Sequence, residues 1–115
     1  MHDAMTPEAL EQIAAYFQVL GEGTRLRILN LLREQERNVG ELAQLCGCSS
    51  ANVSRHLALL AQHGLVTRST RGTHVYFQIA DPAIYELCEL VCGQIERRYE
   101  RAADARALFA PVAGR

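Results

Sequence analysis

Hydrophobic positions between residues 38 and 64 recur with the period of two short α-helices joined by a tight turn. Asn38 followed by Glu41 is typical of a helix start, because such a pair satisfies backbone N–H groups that have no partner within the helix. This helix is predicted to end at Gly47, and Ser49 is predicted to cap a second helix that Gly64 ends. The predicted inward-facing residues are Val39, Leu42 and Leu45 in the first helix and Val53, Leu57 and Leu60 in the second.

The opposite face of the second helix is small and polar. At about 100° per residue, this face carries Ala51, Asn52, Arg55 and Leu59, with Ser54 and Ala58 beside it. No Asp or Glu occurs from Leu42 to Ala80, whereas three arginines (Arg55, Arg68 and Arg71) and three histidines do. Because a phosphate surface repels acidic side chains, the segment is predicted to face nucleic acid, with this helix in a groove.

Three further helices are predicted around this pair. Thr6 and Pro7 open the first, which ends at Gly21. The run RLRILNLLRE after Gly23 is apolar nearly all round and is predicted to be the central buried helix. Asp81 and Pro82 open a last helix that reaches about Leu108. The predicted stripes are Leu10, Ile13, Ala14, Phe17 and Leu20 in the first helix, and Ile84, Leu87, Cys88, Val91 and Ile95 in the last.

Between the second of the paired helices and the last helix, LVTRS and THVYFQI predict a β-hairpin with its turn at Thr70, Arg71 and Gly72. Apolar and polar residues alternate in the second strand, so one face should pack and the other should meet solvent. Gly72 supplies the positive φ that a tight turn requires. Arg71 at the turn would then reach backbone phosphate or a minor groove.

The composition fits one domain. The 115 residues carry a formal net charge of −1 and are 49% hydrophobic, and this hydrophobic fraction is enough for one modest core. Residues 1–110 are predicted to form that domain, and residues 111–115 are predicted to be a disordered tail. No apolar run is long enough to cross a membrane, and the N-terminal run MHDAMTPEAL is too polar for a signal peptide, so we expect a cytoplasmic protein. Four cysteines in that compartment favour free thiols, metal ligands or redox switches over structural disulfides.

Three runs of the sequence together resemble the ArsR/SmtB family of winged helix-turn-helix repressors. They are GEGTRLRILNLL, ELAQLCGCSSANVSRHLALLAQHGLV and RGTHVYFQIADP, and the resemblance covers roughly residues 15–95. It implies a mainly α fold with a β-hairpin wing, in the order α-α-α-α-β-β-α. It also implies a homodimer formed through the first and last helices, which leaves its DNA operator when a metal, metalloid or sulfur species binds.

On this interpretation the second helix of the pair reads the major groove. Arg55 is suited to guanine and Asn52 to adenine or phosphate. The predicted major-groove residues are Ser50, Asn52, Ser54 and Arg55, and the predicted sugar-phosphate contacts are Ser49, Arg68 and Arg71. Two subunits imply a pseudo-palindromic operator with half-sites one helical turn, roughly 34 Å, apart.

The cysteines form two pairs. Cys46 and Cys48 fall where the resembled family carries aliphatic core residues, which favours packing over metal binding. Cys88 and Cys92 lie one helical turn apart on the last helix and could share a soft ion such as As(III), Cd(II) or Zn(II). Oxidation of these thiols and simple packing in a dimer interface stay open as alternatives.

The resembled family's effector patterns do not transfer intact. The arsenical pattern would need cysteines at Asn38 and Gly40, and the zinc pattern keeps Asp81 but meets Ala83 at its next ligand. His2 is the histidine that could reach the last helix of a dimer. Two other functions compete with the sensor: an ArsR-type repressor without a cysteine sensor, and a winged-helix module for protein contacts. A thiol enzyme is disfavoured, because the chain has no CxxC beside a βαβ unit.

Overall fold

A computed structural model describes residues 4–109, so His2 and residues 111–115 lie outside the described part. The described residues form five helices and one antiparallel hairpin, which confirms the predicted order of elements. The elements are α1 (Pro7–Leu20), α2 (Gly23–Glu34), α3 (Val39–Cys46), α4 (Ser50–Gln62), β1 (Val66–Arg71), β2 (His74–Ile79) and α5 (Ala83–Phe109). They divide into two compact units, one ending at Asp81 and one beginning at Pro82.

The predicted helix caps are present. The Oγ1 atom of Thr6 accepts a hydrogen bond from the backbone of Ala9 and caps α1. Asn38 and Glu41 form both hydrogen bonds of a capping box, 2.8 and 2.9 Å long, at the start of α3. Ser49 caps α4 through Asn52 N at 3.1 Å. Each of these bonds spans three residues, so a short stretch of sequence encodes it.

The helix ends also agree with the sequence. Gly47 ends α3 in the left-handed conformation, with φ 68°. Helix α4 stops at Gln62, and Gly64 follows with φ 76°. The N–H of Leu65 then donates to the carbonyl of Leu60 at 2.9 Å, closing the last turn.

Helix α2 is the centre of the first unit and contacts α1, α3, α4 and β2. Its residues Ile28, Leu29 and Leu32 are buried, whereas Leu26, predicted to be buried, is 41% exposed. The other buried residues of this unit are Val19, Leu20, Leu42, Ala43, Cys46, Val53, Leu57, Leu60, Leu65 and Val66. The predicted inward stripe of α4 is therefore confirmed.

The prediction for Leu45 is wrong, because its side chain is 53% exposed. The buried stripe of α3 is Leu42, Ala43 and Cys46. Successive residues turn by 100°, so Leu45 projects about 100° away from the centre of that stripe. Cys46 takes the core position and is only 7% exposed.

The hairpin turn was also predicted one step too early. Thr70 and Arg71 belong to the ladder, where they pair with Val75 and His74. The connection is therefore the two residues Gly72 and Thr73. Gly72 has φ 62°, as predicted, and a two-residue connection with positive φ matches the twist of antiparallel strands.

The segment between α2 and α3 pairs with β2 of the hairpin at a single residue. The backbone groups of Arg37 and Phe77 exchange two hydrogen bonds of 3.0 and 2.8 Å, which form an isolated antiparallel bridge. The side chain of Arg37 also donates to the carbonyl of Leu31 at 3.1 Å. The start of α3 is thereby fixed to the wing.

Large apolar side chains stay exposed on α1 and α5. Leu10 and Phe17 of α1 are 53% and 51% exposed. In α5, Ile84 and Tyr85 are buried, whereas Leu90, Val91, Ile95 and Tyr99 are exposed. Among residues 4–109, no helix combines the length and the apolar character that crossing a bilayer requires.

Candidate nucleic-acid interface

Helix α4 presents the predicted polar face to solvent. Ser50, Ser54 and Arg55 are exposed and Asn52 is half-buried. An Nη2 hydrogen of Arg55 is donated to Oδ1 of Asn52, with the two atoms 2.6 Å apart. The guanidinium and the amide therefore form one unit with donors still available, as major-groove recognition of guanine and adenine requires.

Ser49 is held at the N-terminal end of this helix. Its Oγ accepts the N–H of Asn52, which leaves the hydroxyl hydrogen to donate. The backbone N–H groups of the first helical turn point outward here, and the helix dipole adds partial positive charge. The end of α4 can therefore bind a phosphate oxygen as well as hold the helix.

A cleft of about 410 Å³ separates α4 from the wing. Ser54 lines it from the helix and Arg68 from β1. Its apolar lining comes from Val39, Leu57, Ala58, Ala61, Val75 and Phe77. The structure thus brings two of the predicted DNA-contacting residues, Ser54 of α4 and Arg68 of β1, to one cleft.

Arg71 is placed differently from its prediction. It ends β1 rather than forming the turn. Its guanidinium makes an ion pair with Glu36 and lies 4.8 Å from the ring centroid of Tyr76. The free protein therefore holds this arginine against its own surface.

Glu36 is a residue of this surface that sequence reasoning missed. The acid-free run begins at Leu42, and Glu36 lies six positions upstream, so no feature of the run itself indicates that it would join the wing. The bridge between Arg37 and Phe77 brings it there. The run is acid-free in sequence, but the folded surface is not.

A second contact that the sequence did not predict links α2 to α4. Arg25 donates from Nε to the carbonyl of Val19 at 2.6 Å, and its Nη1 lies 3.2 Å from Nδ1 of His56. Since arginine can only donate, Nδ1 of His56 accepts in this contact. The backbone N–H of Arg25 also donates to the Glu22 carboxylate at 2.9 Å, and this hydrogen bond holds the pKa of Glu22 below its usual value.

The four cysteines are free thiols. Cys46 is buried, and burial, reinforced by the neighbouring Cys48, raises its pKa above the usual value. The Sγ of Cys48 lies 3.6 Å from the carbonyl oxygen of Cys46. Buried sulfur with a raised pKa is a poor metal ligand and a poor nucleophile, so the structure favours the packing interpretation for Cys46.

Cys88 and Cys92 lie on α5, the first half-buried and the second exposed. The Sγ of Cys92 lies 3.9 Å from a carboxylate oxygen of Glu96. Within residues 4–109 of a single chain, no group of three or more His, Cys, Asp or Glu side chains could hold a metal ion. A soft metal ion at these two thiols would therefore need at least one further ligand.

Comparisons with known proteins agree with this architecture. A family model described as a helix-turn-helix domain matches residues 20–69. The HTH-type transcriptional regulator Rv0081 of Mycobacterium tuberculosis is 39% identical over 85 residues, which are 72% of this chain and 75% of that protein. A transcriptional repressor SmtB homolog of Synechocystis is 30% identical over 94 residues, covering 82% of this chain and 71% of that protein.

Solved structures show the same fold. The crystal structure of Rv0081 superposes with a TM-score of 0.78 at 32% identity, covering 86% of this chain and 99% of that one. Mb0332 of Mycobacterium bovis, described as a homodimeric winged helix-turn-helix DNA-binding domain and a possible ArsR-family regulator, gives a TM-score of 0.73 at 32% identity, covering 88% and 95%. The chain therefore belongs to the ArsR/SmtB family of winged helix-turn-helix transcriptional regulators and is not an enzyme.

Proposed function

We propose that the protein is a DNA-binding transcriptional repressor in which α4 reads the major groove. The observation that carries this proposal is the polar face of α4, where Arg55 and Asn52 form a hydrogen-bonded pair within a segment that has three arginines and no acid. Arg55 would bind guanine, and Asn52 would bind adenine or phosphate. Ser50 and Ser54 would complete the groove contacts.

The sugar-phosphate backbone would be held by residues around α4. Ser49, whose Oγ accepts the N–H of Asn52, would donate its hydroxyl hydrogen to phosphate, and Arg68 would donate across the cleft from β1. Arg71 can offer its whole guanidinium to phosphate when it leaves Glu36. Contacts of this kind set the register of the protein on the duplex and make binding salt-dependent.

We further propose that the repressor is a homodimer. The exposed apolar residues of α1 and α5 form faces that a monomer would leave in water, including Phe17, Val91 and Tyr99 at 51%, 50% and 63% exposure. Exposed apolar patches of this kind mark interaction surfaces. The homodimeric description of Mb0332 supports the same assembly. A two-fold dimer would bind a pseudo-palindrome with half-sites roughly 34 Å apart.

The proposed inducer site is Cys88 with Cys92. The two thiols are one helical turn apart on α5 and accessible to solvent to different degrees. Soft ions such as As(III), Cd(II) or Zn(II) prefer thiolate ligands, and a partner subunit could supply the missing donor. Binding would favour a dimer geometry that no longer fits the operator, and a coupling of about 1–3 kcal/mol would weaken occupancy about 5- to 150-fold.

The DNA-binding proposal is tested by selecting a binding sequence from random duplexes and titrating it by fluorescence anisotropy. Arg55→Ala should lose preference for the selected sequence while keeping salt-dependent binding to random DNA. Arg33→Ala is the matched control, since it removes one exposed positive charge on α2 outside the acid-free segment. Unchanged sequence preference in Arg55→Ala would contradict the role of α4.

The inducer site is tested on the protein–DNA complex. Arsenite or cadmium should release the wild type, whereas the Cys88→Ser, Cys92→Ser double variant should stay bound. Cys48→Ser is the matched control, because it removes a half-buried thiol at the turn between α3 and α4. Equal release of the double variant and the wild type would show that Cys88 and Cys92 are packing residues.

A further inference from the structure

The wing arginine has a partner of its own in the free protein. The guanidinium of Arg71 pairs with the carboxylate of Glu36 and rests on the ring of Tyr76 at 4.8 Å. The Arg71 side chain is still 57% exposed, and that of Glu36 is 28% exposed. An exposed pair of this kind contributes little stability and opens readily when a stronger anion approaches.

Glu36 is not on a loose loop. The next residue, Arg37, is joined to Phe77 of β2 by two backbone hydrogen bonds, and its side chain donates to the Leu31 carbonyl. The carboxylate is thus carried to the end of β1 by backbone that is fixed to the wing on one side and to α2 on the other.

The position of this carboxylate is unfavourable for a protein that binds phosphate. Residues 42–80 contain no acid, yet the fold brings Glu36 to a side chain of that run. The Glu36 carboxylate engages Nη2 of Arg71, so a DNA phosphate, which arginine also binds through its planar fork, can take both arms of the fork only by displacing Glu36.

We propose that Glu36 competes with DNA phosphate for Arg71. The Glu36 carboxylate binds the wing arginine in the free protein and releases it when the DNA complex forms. This inference rests on the proposed DNA-binding function. It makes Glu36 a positioning residue that lowers DNA affinity, and Arg71 a phosphate contact whose full guanidinium fork becomes available after an exchange of partners.

The competition predicts a gain of affinity from a loss of charge. Glu36→Gln keeps the shape of the side chain but removes the ion pair, so DNA binding should tighten about two- to fivefold per subunit. Arg71→Gln should weaken binding and reduce the slope of log affinity against log salt by about 0.9 per subunit, since one phosphate contact is lost.

A matched control measures how much DNA affinity changes when any one nearby negative charge is removed. Glu34→Gln deletes an acid two residues away whose carboxylate pairs with Arg37 at 2.9 Å and is 72% exposed. The exchange predicts that Glu36→Gln tightens binding more than Glu34→Gln does. It also predicts that Glu36→Gln in the Arg71→Gln background gains no more than Glu34→Gln gains in the wild type.

The experiment is an anisotropy titration of the wild type, the three single variants and the Glu36→Gln, Arg71→Gln double variant at several salt concentrations. Equal gains from Glu36→Gln and Glu34→Gln, or a loss from Glu36→Gln, would overturn the exchange. Thermal unfolding of each variant verifies the fold. The wild-type titration distinguishes the two proposals, because absence of salt-dependent DNA binding there would refute the function itself.

Discussion

Substitution of Ser49 by alanine and by aspartate separates its role as a helix cap from its proposed role at DNA. Its Oγ accepts the N–H of Asn52 at 3.1 Å. Alanine removes that acceptor, so Ser49→Ala should lower the free energy of unfolding by about 1 kcal/mol, or the Tm by about 4 °C. Aspartate keeps an acceptor and places a negative charge at the positive end of α4, so Ser49→Asp should be at least as stable as the wild type.

The wild type and the two variants should rank differently in DNA affinity than in stability. A carboxylate about 4 Å from a phosphate in water costs about 1 kcal/mol. Two subunits double this to about 2 kcal/mol, which is about 30-fold in affinity. Ser49→Ala loses only a hydrogen-bond donor to phosphate in each subunit, at about 0.5 kcal/mol each, and should bind a few-fold more weakly.

The two orders are measured by thermal unfolding followed by circular dichroism and by anisotropy titration of the same samples. The expected order of stability has the aspartate variant first and alanine last, whereas the expected order of affinity has the wild type first and aspartate last. If Ser49→Asp binds DNA as tightly as the wild type, the N-terminal end of α4 does not face phosphate. If Ser49→Ala is as stable as the wild type, the cap does not stabilise the helix.

Three further predictions concern the core, the thiols and pH. Leu57→Ala should lower the free energy of unfolding in urea by about 2–5 kcal/mol, because Leu57 is 1% exposed. Leu45→Ala should change it by no more than about 0.5 kcal/mol, because Leu45 is 53% exposed. Equal losses would contradict the assignment of Leu57 to the core and Leu45 to the surface. Iodoacetamide should label the exposed Cys92 well before Cys46, whose pKa is raised by burial, and mass spectrometry showing equal rates would refute this. Because the pKa of Glu22 is lowered, this carboxylate stabilises the fold above pH 4.5, the ordinary pKa of the group, and the stabilisation is lost as the pH falls through the folded-state pKa. Glu22→Gln should therefore flatten the dependence of Tm on pH below 4.5. An unchanged profile would count against the assigned hydrogen bond.

Features set by neighbouring residues were predictable from the sequence. The capping residues Asn38 and Ser49 and the left-handed Gly47 act through bonds that span at most five residues, so their patterns are visible in the sequence. The buried stripe of α4 was predicted for the same reason, since 13 residues give the helical period three full turns. The outer face of α4 follows from that stripe by geometry.

The errors come from short elements and from contacts between distant residues. Helix α3 has eight residues, too few for its period to exclude Leu45 from the core. The hairpin register depends on where the strands stop pairing, and composition alone did not place Arg71 in the ladder. The ion pair of Arg71 with Glu36 joins residues 35 positions apart, and it depends on the bridge at Arg37, which no local pattern encodes.

The apolar faces of α1 and α5 illustrate another limit. The sequence predicted stripes there, and the chain leaves Leu10, Phe17 and Val91 of those stripes exposed. Hydrophobic periodicity indicates that a face will be covered but not by which chain. A measured molecular mass in solution would decide whether a second copy covers them, with a dimer expected and a monomer contradicting the proposed assembly.

The most direct measurement of the central claim is protection of guanine N7 from methylation by dimethyl sulfate on the selected operator, since N7 lies in the major groove. The wild type should protect guanines in two half-sites, and Arg55→Ala should lose protection of one guanine per half-site while the remaining contacts persist. Identical protection by Arg55→Ala and the wild type, or no protected guanine with either, would contradict the account that α4 reads DNA through Arg55.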